Sequence, residues 1–356
     1  MTSPRYADAV EQRAAELLPE PVYRYLRQGA RDGTTTAEAS AAWDRFRFLP
    51  QVLRDVTDIH LGTTVLGTPL RSPFAVAPTT MQRAVHPDGE AAMGRGVARA
   101  DSLMVVSSNA GSSFEEIAAT GVAWWSQVYV TADRSACLPP IERAVANGAR
   151  ALVLTADTPV VGTKYDGEGP TVWDLLEPGW LRSNFPAGYG DAAGDVKATD
   201  LGPQDVEWLG RVSGLPVVVK GVLRADDARR CVDAGAAAVW VSNHGGRQVD
   251  QAAATAERLA AVADAVGAAC EVYVDGGVRT GRHALAALAL GARAVFLGRP
   301  PVYALAADGA DGVTRLFDEL DEELEETLRL AGCPFASRVP AGVLHARADV
   351  AAPGHE

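Results

Sequence analysis

The chain has 356 residues and a net charge of −12, with 47% hydrophobic residues, 22% charged residues and 35 glycines. That length builds one large core or two ordinary domains, and the acidity argues against a broad nucleic-acid surface while leaving room for a local basic pocket. No apolar run is long enough to cross a bilayer and no apolar signal core opens the chain. Cys137, Cys231, Cys270 and Cys333 show no paired ligand spacing, which points to reduced thiols and a cytoplasmic location.

Residues 5–30 read as helical, with Tyr6, Val10, Ala14 and Leu17 on one face and an interruption at Pro19 and Pro21. Residues 31–71 read as an irregular lead-in anchored by Phe46, Phe48, Leu53, Val56 and Ile59, with a hairpin at 61–70 outside the main core. Short β-prone runs then recur at 73–77, 103–107, 124–129, 151–155, 216–220, 238–242, 271–275 and 294–298. Alanine-rich helical stretches separate most of them, some closed by glycine at the left-handed C-cap position. Continuous apolar strands alternating with helices indicate a parallel sheet covered by helices, and eight such units close a (β/α)8 TIM barrel; the competing arrangement is an open doubly wound sheet. The expected chain is a single domain: a lead-in at 1–71, a barrel at 72–310, and a C-terminal helix and tail at 311–356. The long segment after the fourth strand, residues 160–203, reads as a loop that covers a ligand, with Trp173, Leu175, Leu176, Trp180 and Phe185 as anchors. Val313, Leu316, Phe317, Leu320, Leu324 and Leu328 form the stripe of a packing helix.

Barrel strands deliver their carboxyl ends to one face. Applied here, that rule gathers Pro78, Thr79 and Thr80, then Ser107, Ser108 and Asn109, Gln127 and Tyr129, Thr155 and Asp157, and Lys220. It adds Ser242 with His244 and Arg247, Asp275 to Arg279, and Gly298 with Arg299. A titratable imidazole beside a fixed cation suits proton abstraction from an anionic substrate, with Asp157 placed to orient it. Gly276, Gly277, Arg279, Gly298 and Arg299 suit a phosphate, through close backbone approach and adjacent cations. Lys220 would stabilise negative charge developing on a cofactor, or act as a Schiff-base nucleophile in a lyase. A catalytically idle phosphate-binding barrel is the bland alternative. His60, His86 and His283 read as turn or packing residues, and no metal is expected.

With these residues assembled, the sequence resembles the FMN-dependent 2-hydroxy-acid oxidase and dehydrogenase family, which includes glycolate, lactate and mandelate-oxidising enzymes. The resemblance rests on Ser242-Asn-His-Gly-Gly-Arg247, reinforced in order by Val219-Lys220-Gly221, Asp275-Gly-Gly-Val-Arg279 and Leu297-Gly-Arg299. It implies FMN at the barrel mouth. The phosphate would lie on Asp275–Arg279 and Gly298-Arg299, and the flavin or ribityl chain on Ala77–Thr80, Ser107, Gln127, Thr155, Lys220 and Ser242. It further implies His244 as proton acceptor with Asp157 as its partner, and Tyr25, Tyr129 and Arg247 as groups that receive the substrate carboxylate and neighbouring oxygen. Lys164 stands where many members carry a second arginine, and Thr80 and Asn109 also depart from the common pattern. Those departures favour an acid larger or more polar than glycolate or lactate, such as a mandelate-like acid. The expected reaction turns an L-2-hydroxy acid into its 2-oxo acid, with molecular oxygen reoxidising FMN and forming peroxide. A dehydrogenase with another acceptor and a tailoring oxidase of an atypical substrate remain alternatives. A homotetramer or larger homo-oligomer is expected by the same resemblance.

Overall fold

The computed structural model describes residues 5–165, 169–177, 179–267 and 269–345; the expected tail over 346–356 lies outside the described residues. Three helices precede the barrel: α1 (Tyr6–Leu17), α2 (Glu20–Arg27) and α3 (Thr34–Asp44). In α1 the buried stripe is Tyr6, Val10 and Ala14, continued at Leu18 and not at Leu17, which is 55% exposed. The spacing of four carries the stripe to position 18, while Leu17 turns outward.

The reading of 31–71 as irregular missed α3. Its Thr35, Ala39, Ala42 and Trp43 are buried at helical spacing, and Gly33 starts it from a left-handed conformation. Leu53, expected as an anchor, is fully exposed; Trp43 supplies the buried anchor instead. The hairpin exists as β1 (Thr63–Val65) and β2 (Thr68–Leu70), but its Val65 and Leu70 are packed with residues that fill the barrel. It therefore belongs to the core, not outside it.

Eight parallel strands close the barrel: β3 (Phe74–Val76), β4 (Leu103–Val106), β5 (Ala123–Val128), β6 (Leu152–Thr155), β7 (Val217–Val222), β8 (Ala238–Val241), β9 (Glu271–Val274) and β10 (Ala294–Leu297). Each pairs with the next in sequence, and β10 returns to β3. Successive side chains alternate between the helix layer and the interior. Ala75, Val105, Trp125, Val153, Val218, Trp240, Tyr273 and Phe296 make the inner set. The Trp240 and Phe296 rings lie 3.9 Å apart, centre to centre, and help form an aromatic floor. Two residues further along each strand, the same inward direction brings Ala77, Ser107, Gln127, Thr155, Lys220, Ser242, Asp275 and Gly298. The polar layer thus lies directly above the floor.

The C-terminal helix Arg299–Ala331 buries the expected stripe and breaks at Asp308 and Gly309. Helix α1 packs along it, with the Tyr6 hydroxyl donating to Asp308 Oδ2 at 2.9 Å.

Candidate active site

Strand β8 ends at Val241, and the chain then passes through three consecutive left-handed residues, His244 (φ 58°), Gly245 (63°) and Gly246 (76°). Helix α3 makes this turn obligatory. A Cβ on Gly246 would stand 2.3 Å from the Thr36 hydroxyl oxygen, and that hydroxyl donates to the Gly245 carbonyl at 3.0 Å. The turn aims the His244 ring at a cavity of about 340 Å³ above the aromatic floor.

His244 Nδ1 lies 3.0 Å from Asp157 Oδ1. An ionised carboxylate can only accept, so Nδ1 carries the proton and Nε2 keeps its lone pair. Burial pushes the His244 pKa below its ordinary value despite Asp157. Burial alone would raise the Asp157 carboxyl, but the His244 hydrogen bond, its charge and Lys220 hold it below the usual range. The pair is therefore a neutral imidazole on an ionised carboxylate at neutral pH. Gly221 (φ 109°) makes room for Asp157, since a Cβ there would sit 2.6 Å from the Asp157 Cβ. Behind the pair, Gln248 Nε2 donates to Thr158 Oγ1 at 2.7 Å, and Thr158 donates to Asp157 Oδ1 at 3.1 Å.

Lys220 Nζ donates to Ser242 Oγ at 2.8 Å and lies 3.2 Å from Asp275 Oδ2; Ser242 donates onward to Asp275 Oδ1 at 2.7 Å. An ammonium so paired is a fixed charge and a poor nucleophile, which disfavours the Schiff-base alternative. The Ser242 hydroxyl, expected at the cofactor, is committed between Lys220 and Asp275. Asp157 sits behind the cavity wall.

At the next strand end, after β9, Gly276 and Gly277 are both left-handed. Trp43 Nε1 donates to the Gly276 carbonyl at 2.7 Å and Ser40 Oγ to the Gly277 carbonyl at 2.8 Å. In a trans peptide the N–H points opposite the carbonyl, so the amides of Gly277 and Val278 turn away from α3 toward the cavity. Arg299 is held by the carbonyls of Leu26 (2.9 Å), Gln28 (3.3 Å) and Gly245 (3.1 Å), and Arg247 by those of Tyr25 (2.7 Å) and Gln28 (2.8 Å). The carbonyls of Tyr25, Leu26 and Gln28 are orphan acceptors that the end of α2 leaves free. Burial pushes Arg299 down to about 10, helped by Arg247, and lowers Arg279 as well. Among the described residues none of Arg247, Arg279 and Arg299 forms an ion pair with a carboxylate. Cations packed this way in an acidic protein call for an anionic ligand.

Strands β3 to β6 supply the remaining wall. Gln127 Oε1 accepts from Ser108 N at 2.9 Å, while its Nε2 is buried with no partner among the described residues. The Thr80 hydroxyl, expected beside the reacting face, donates to the Asn109 carbonyl at 3.2 Å and ties two loops together. Ala77, Pro78, Thr79, Ser107, Asn109, Tyr129, Thr155 and Gly298 also line the cavity. Lys164 Nζ donates to the carbonyls of Gly162 (2.7 Å) and Arg247 (3.0 Å). Burial, reinforced by Asp157, keeps the Tyr129 phenol protonated.

The 160–203 segment crosses the cavity, bringing Val161, Trp173, Leu181, Arg182 and Lys197 to its wall. The Trp173 ring, 54% exposed, meets Tyr25 edge-on at 5.8 Å and so forms wall more than anchor. Residues 166–168 and 178 of this segment lie outside the described residues. Sequence reading missed Thr158, Gln248, Lys197 and the α3 clamp; the helical spacing of Thr35, Ala39, Ala42 and Trp43 was the available signal for the last.

A family model described as FMN-dependent dehydrogenase matches residues 14–346. Glycolate oxidase 3 of Arabidopsis thaliana is 40% identical over 334 residues, covering 91% of each chain. 2-Hydroxyacid oxidase 1 of Homo sapiens is 39% identical over 340 residues, again 91% of each. The solved structure of mandelate oxidase with (S)-2-phenylpropionate is similar at a TM-score of 0.86 and 37% identity, covering 97% of this chain and 98% of that one.

Proposed function

The chain belongs to the FMN-dependent dehydrogenase family, and from that premise we propose that it oxidises an L-2-hydroxy acid to the 2-oxo acid with molecular oxygen as final acceptor. The observation that carries the reading is the neutral His244 imidazole, backed by Asp157 and facing the cavity beside Arg247.

The residues fit FMN. Arg279, Arg299 and the inward amides of Gly277 and Val278 would hold its phosphate, while the unpartnered Gln127 Nε2 offers a donor to the flavin. Ala77 to Thr80, Ser107 and Thr155 would wall it, with Lys220 as a fixed positive charge. Bound FMN supplies a two-electron acceptor.

The chain's own groups do the rest. Arg247, with Tyr25, binds the substrate carboxylate, and Tyr129 donates to the neighbouring oxygen. His244 Nε2 takes one proton as the substrate gives up two electrons and its α-hydrogen. Asp157 then stabilises the imidazolium so formed. Thr80 and Asn109 shape the side-chain end for an acid larger than glycolate or lactate, with the bulk of mandelate, and Lys164 braces Arg247 through its carbonyl. The four free thiols support a cytoplasmic location, and exposed Leu49, Val52 and Leu53 support a homotetramer or larger. Among the described residues no helix is long and apolar enough to cross a membrane. Light scattering at a monomer's mass would remove the assembly from this reading.

The purified protein is expected to be yellow, with flavin bands that bleach anaerobically on adding the right acid. An anaerobic screen should vary the acid's side chain from methyl to aromatic in both enantiomers. Colourless protein that takes up no FMN would sink the proposal. Mixing the substrate-reduced protein with oxygen should release peroxide. Persistent reduced flavin would point instead to a quinone or protein acceptor.

A further inference from the structure

The cavity holds more positive charge than the proposed reaction accounts for. Arg247 answers the substrate carboxylate, Arg279 and Arg299 answer a phosphate, and Lys220 is paired with Asp275. Lys164 is held by the carbonyls of Gly162 and Arg247, which leaves Lys197 and Arg182 on the wall to which residues 160–203 contribute.

Lys197 is not a loose surface lysine. Its backbone forms a bridge with Thr131, and the next residue, Ala198, donates its N–H to the Val130 carbonyl at 2.9 Å. That pins the residue beside the continuation of β5 and sets its ammonium 3.6 Å from the centre of the Tyr129 ring. Among the described residues no carboxylate forms an ion pair with Lys197 or Arg182. Asp157, which acts on Lys197 through its charge, is bonded to His244. The Tyr129 ring face attracts the ammonium but supplies no counter-charge. Burial, with Lys164 adding to it, pushes Lys197 down to about 8, as expected for an ammonium short of an anion. Among the described residues, the Tyr189 ring faces Arg182 at 5.6 Å.

We propose that this wall is a subsite for an anionic group at the far end of the substrate's side chain, so that the preferred 2-hydroxy acid carries a second anionic group that meets Lys197. The inference rests on the proposed reaction for where the first carboxylate sits, with Arg247 beside the Tyr25 ring and Lys197 over the Tyr129 ring. A carboxylate and a phosphate share the required chemistry.

The test uses the FMN-loaded enzyme. Anaerobic flavin bleaching is measured with L-2-hydroxyglutarate, with 2-hydroxy-4-phosphonooxybutanoate, and with L-2-hydroxypentanoate as the neutral-ended comparison. The rate constant of bleaching divided by the apparent dissociation constant should, for the better of the two anion-ended acids, exceed that for the neutral-ended acid by at least about tenfold, the size of one charge-assisted hydrogen bond. Which of the two is better identifies the distal group. Lys197→Met should bring the ratio close to one, and Lys197→Arg should keep most of it. A wild-type ratio of one, or a ratio that Lys197→Met leaves intact, overturns the subsite.

Binding of redox-inert glutarate against pentanoate, read from the flavin spectrum, separates the two proposals. Tighter glutarate binding that Lys197→Met removes, with no acid bleaching the flavin, keeps the subsite and removes the reaction. Bleaching by neutral-ended acids with no glutarate preference does the reverse.

Discussion

Replacing His244 with alanine is expected to slow anaerobic reduction of the bound flavin by about 10² to 10⁴-fold, the range for losing a positioned general base. Arg247 keeps its own carbonyl partners, so KM should change far less than kcat. Alanine also strips Asp157 of its ring partner, and Asp157 Oδ2 already has no partner among the described residues. His244→Asn is the better control: its amide can still donate to Asp157 while offering no comparable base. Both variants should retain FMN, and both should be slow. Wild-type reduction should fall as pH drops through a value below 6.5, because burial lowers the pKa of His244 and only the neutral ring accepts a proton. Above that value the rate should level off. Stability follows the same sign: between the lowered folded value and the ordinary one the unfolded chain binds more protons, so the folded state loses ground as pH falls. The acid limb should disappear from the residual rate of His244→Ala. An undiminished reduction rate in either variant would remove His244 from the role of base.

Lys220→Met should cost both rate and stability. The Lys220 and Asp275 side chains are 5% and 8% exposed, so removing the ammonium leaves a buried carboxylate with only the Ser242 hydroxyl from its former pair. Breaking one partner of such a pair costs about 3–5 kcal/mol, a large share of an ordinary domain's stability. The urea midpoint of unfolding reads it. Pairing the change with Asp275→Asn removes the uncompensated charge and should restore most of the midpoint. Flavin reduction should stay about 10²-fold slow in the double variant, since a fixed charge facing the cavity is still missing. Recovery of rate along with stability would make Lys220 a structural residue only.

The barrel was legible because its strands are continuous apolar runs that end abruptly in polar or glycine residues. Val217-Val-Val-Lys220 and Ala238-Val-Trp-Val-Ser242 announce both the strand and its end. Once eight ends share one face, His244, Asp157 and the two arginine loops must come together, whatever their separation in sequence. What could not be read is which hydroxyls are already committed. Ser242 is held between Lys220 and Asp275, and Thr80 is tied to Asn109, through bonds that depend on distances between strands. Helix α3 was obscured by its run of three threonines, weak helix formers, and its value lies in contacts more than 200 positions away, such as Thr36 to Gly245. Lys197 lies in a segment without strand or helix periodicity, so nothing local marked its direction.

The capture of Arg247 and Arg299 by the carbonyls of Tyr25, Leu26 and Gln28 also orders events during synthesis. The ribosome releases the acceptors some 220 to 270 residues before the guanidiniums that occupy them. A nascent chain therefore carries an unfinished ligand end until its eighth strand emerges and the circle meets its own beginning. Fragments that stop short of residue 299 should fail to retain flavin even where most of the barrel has been made.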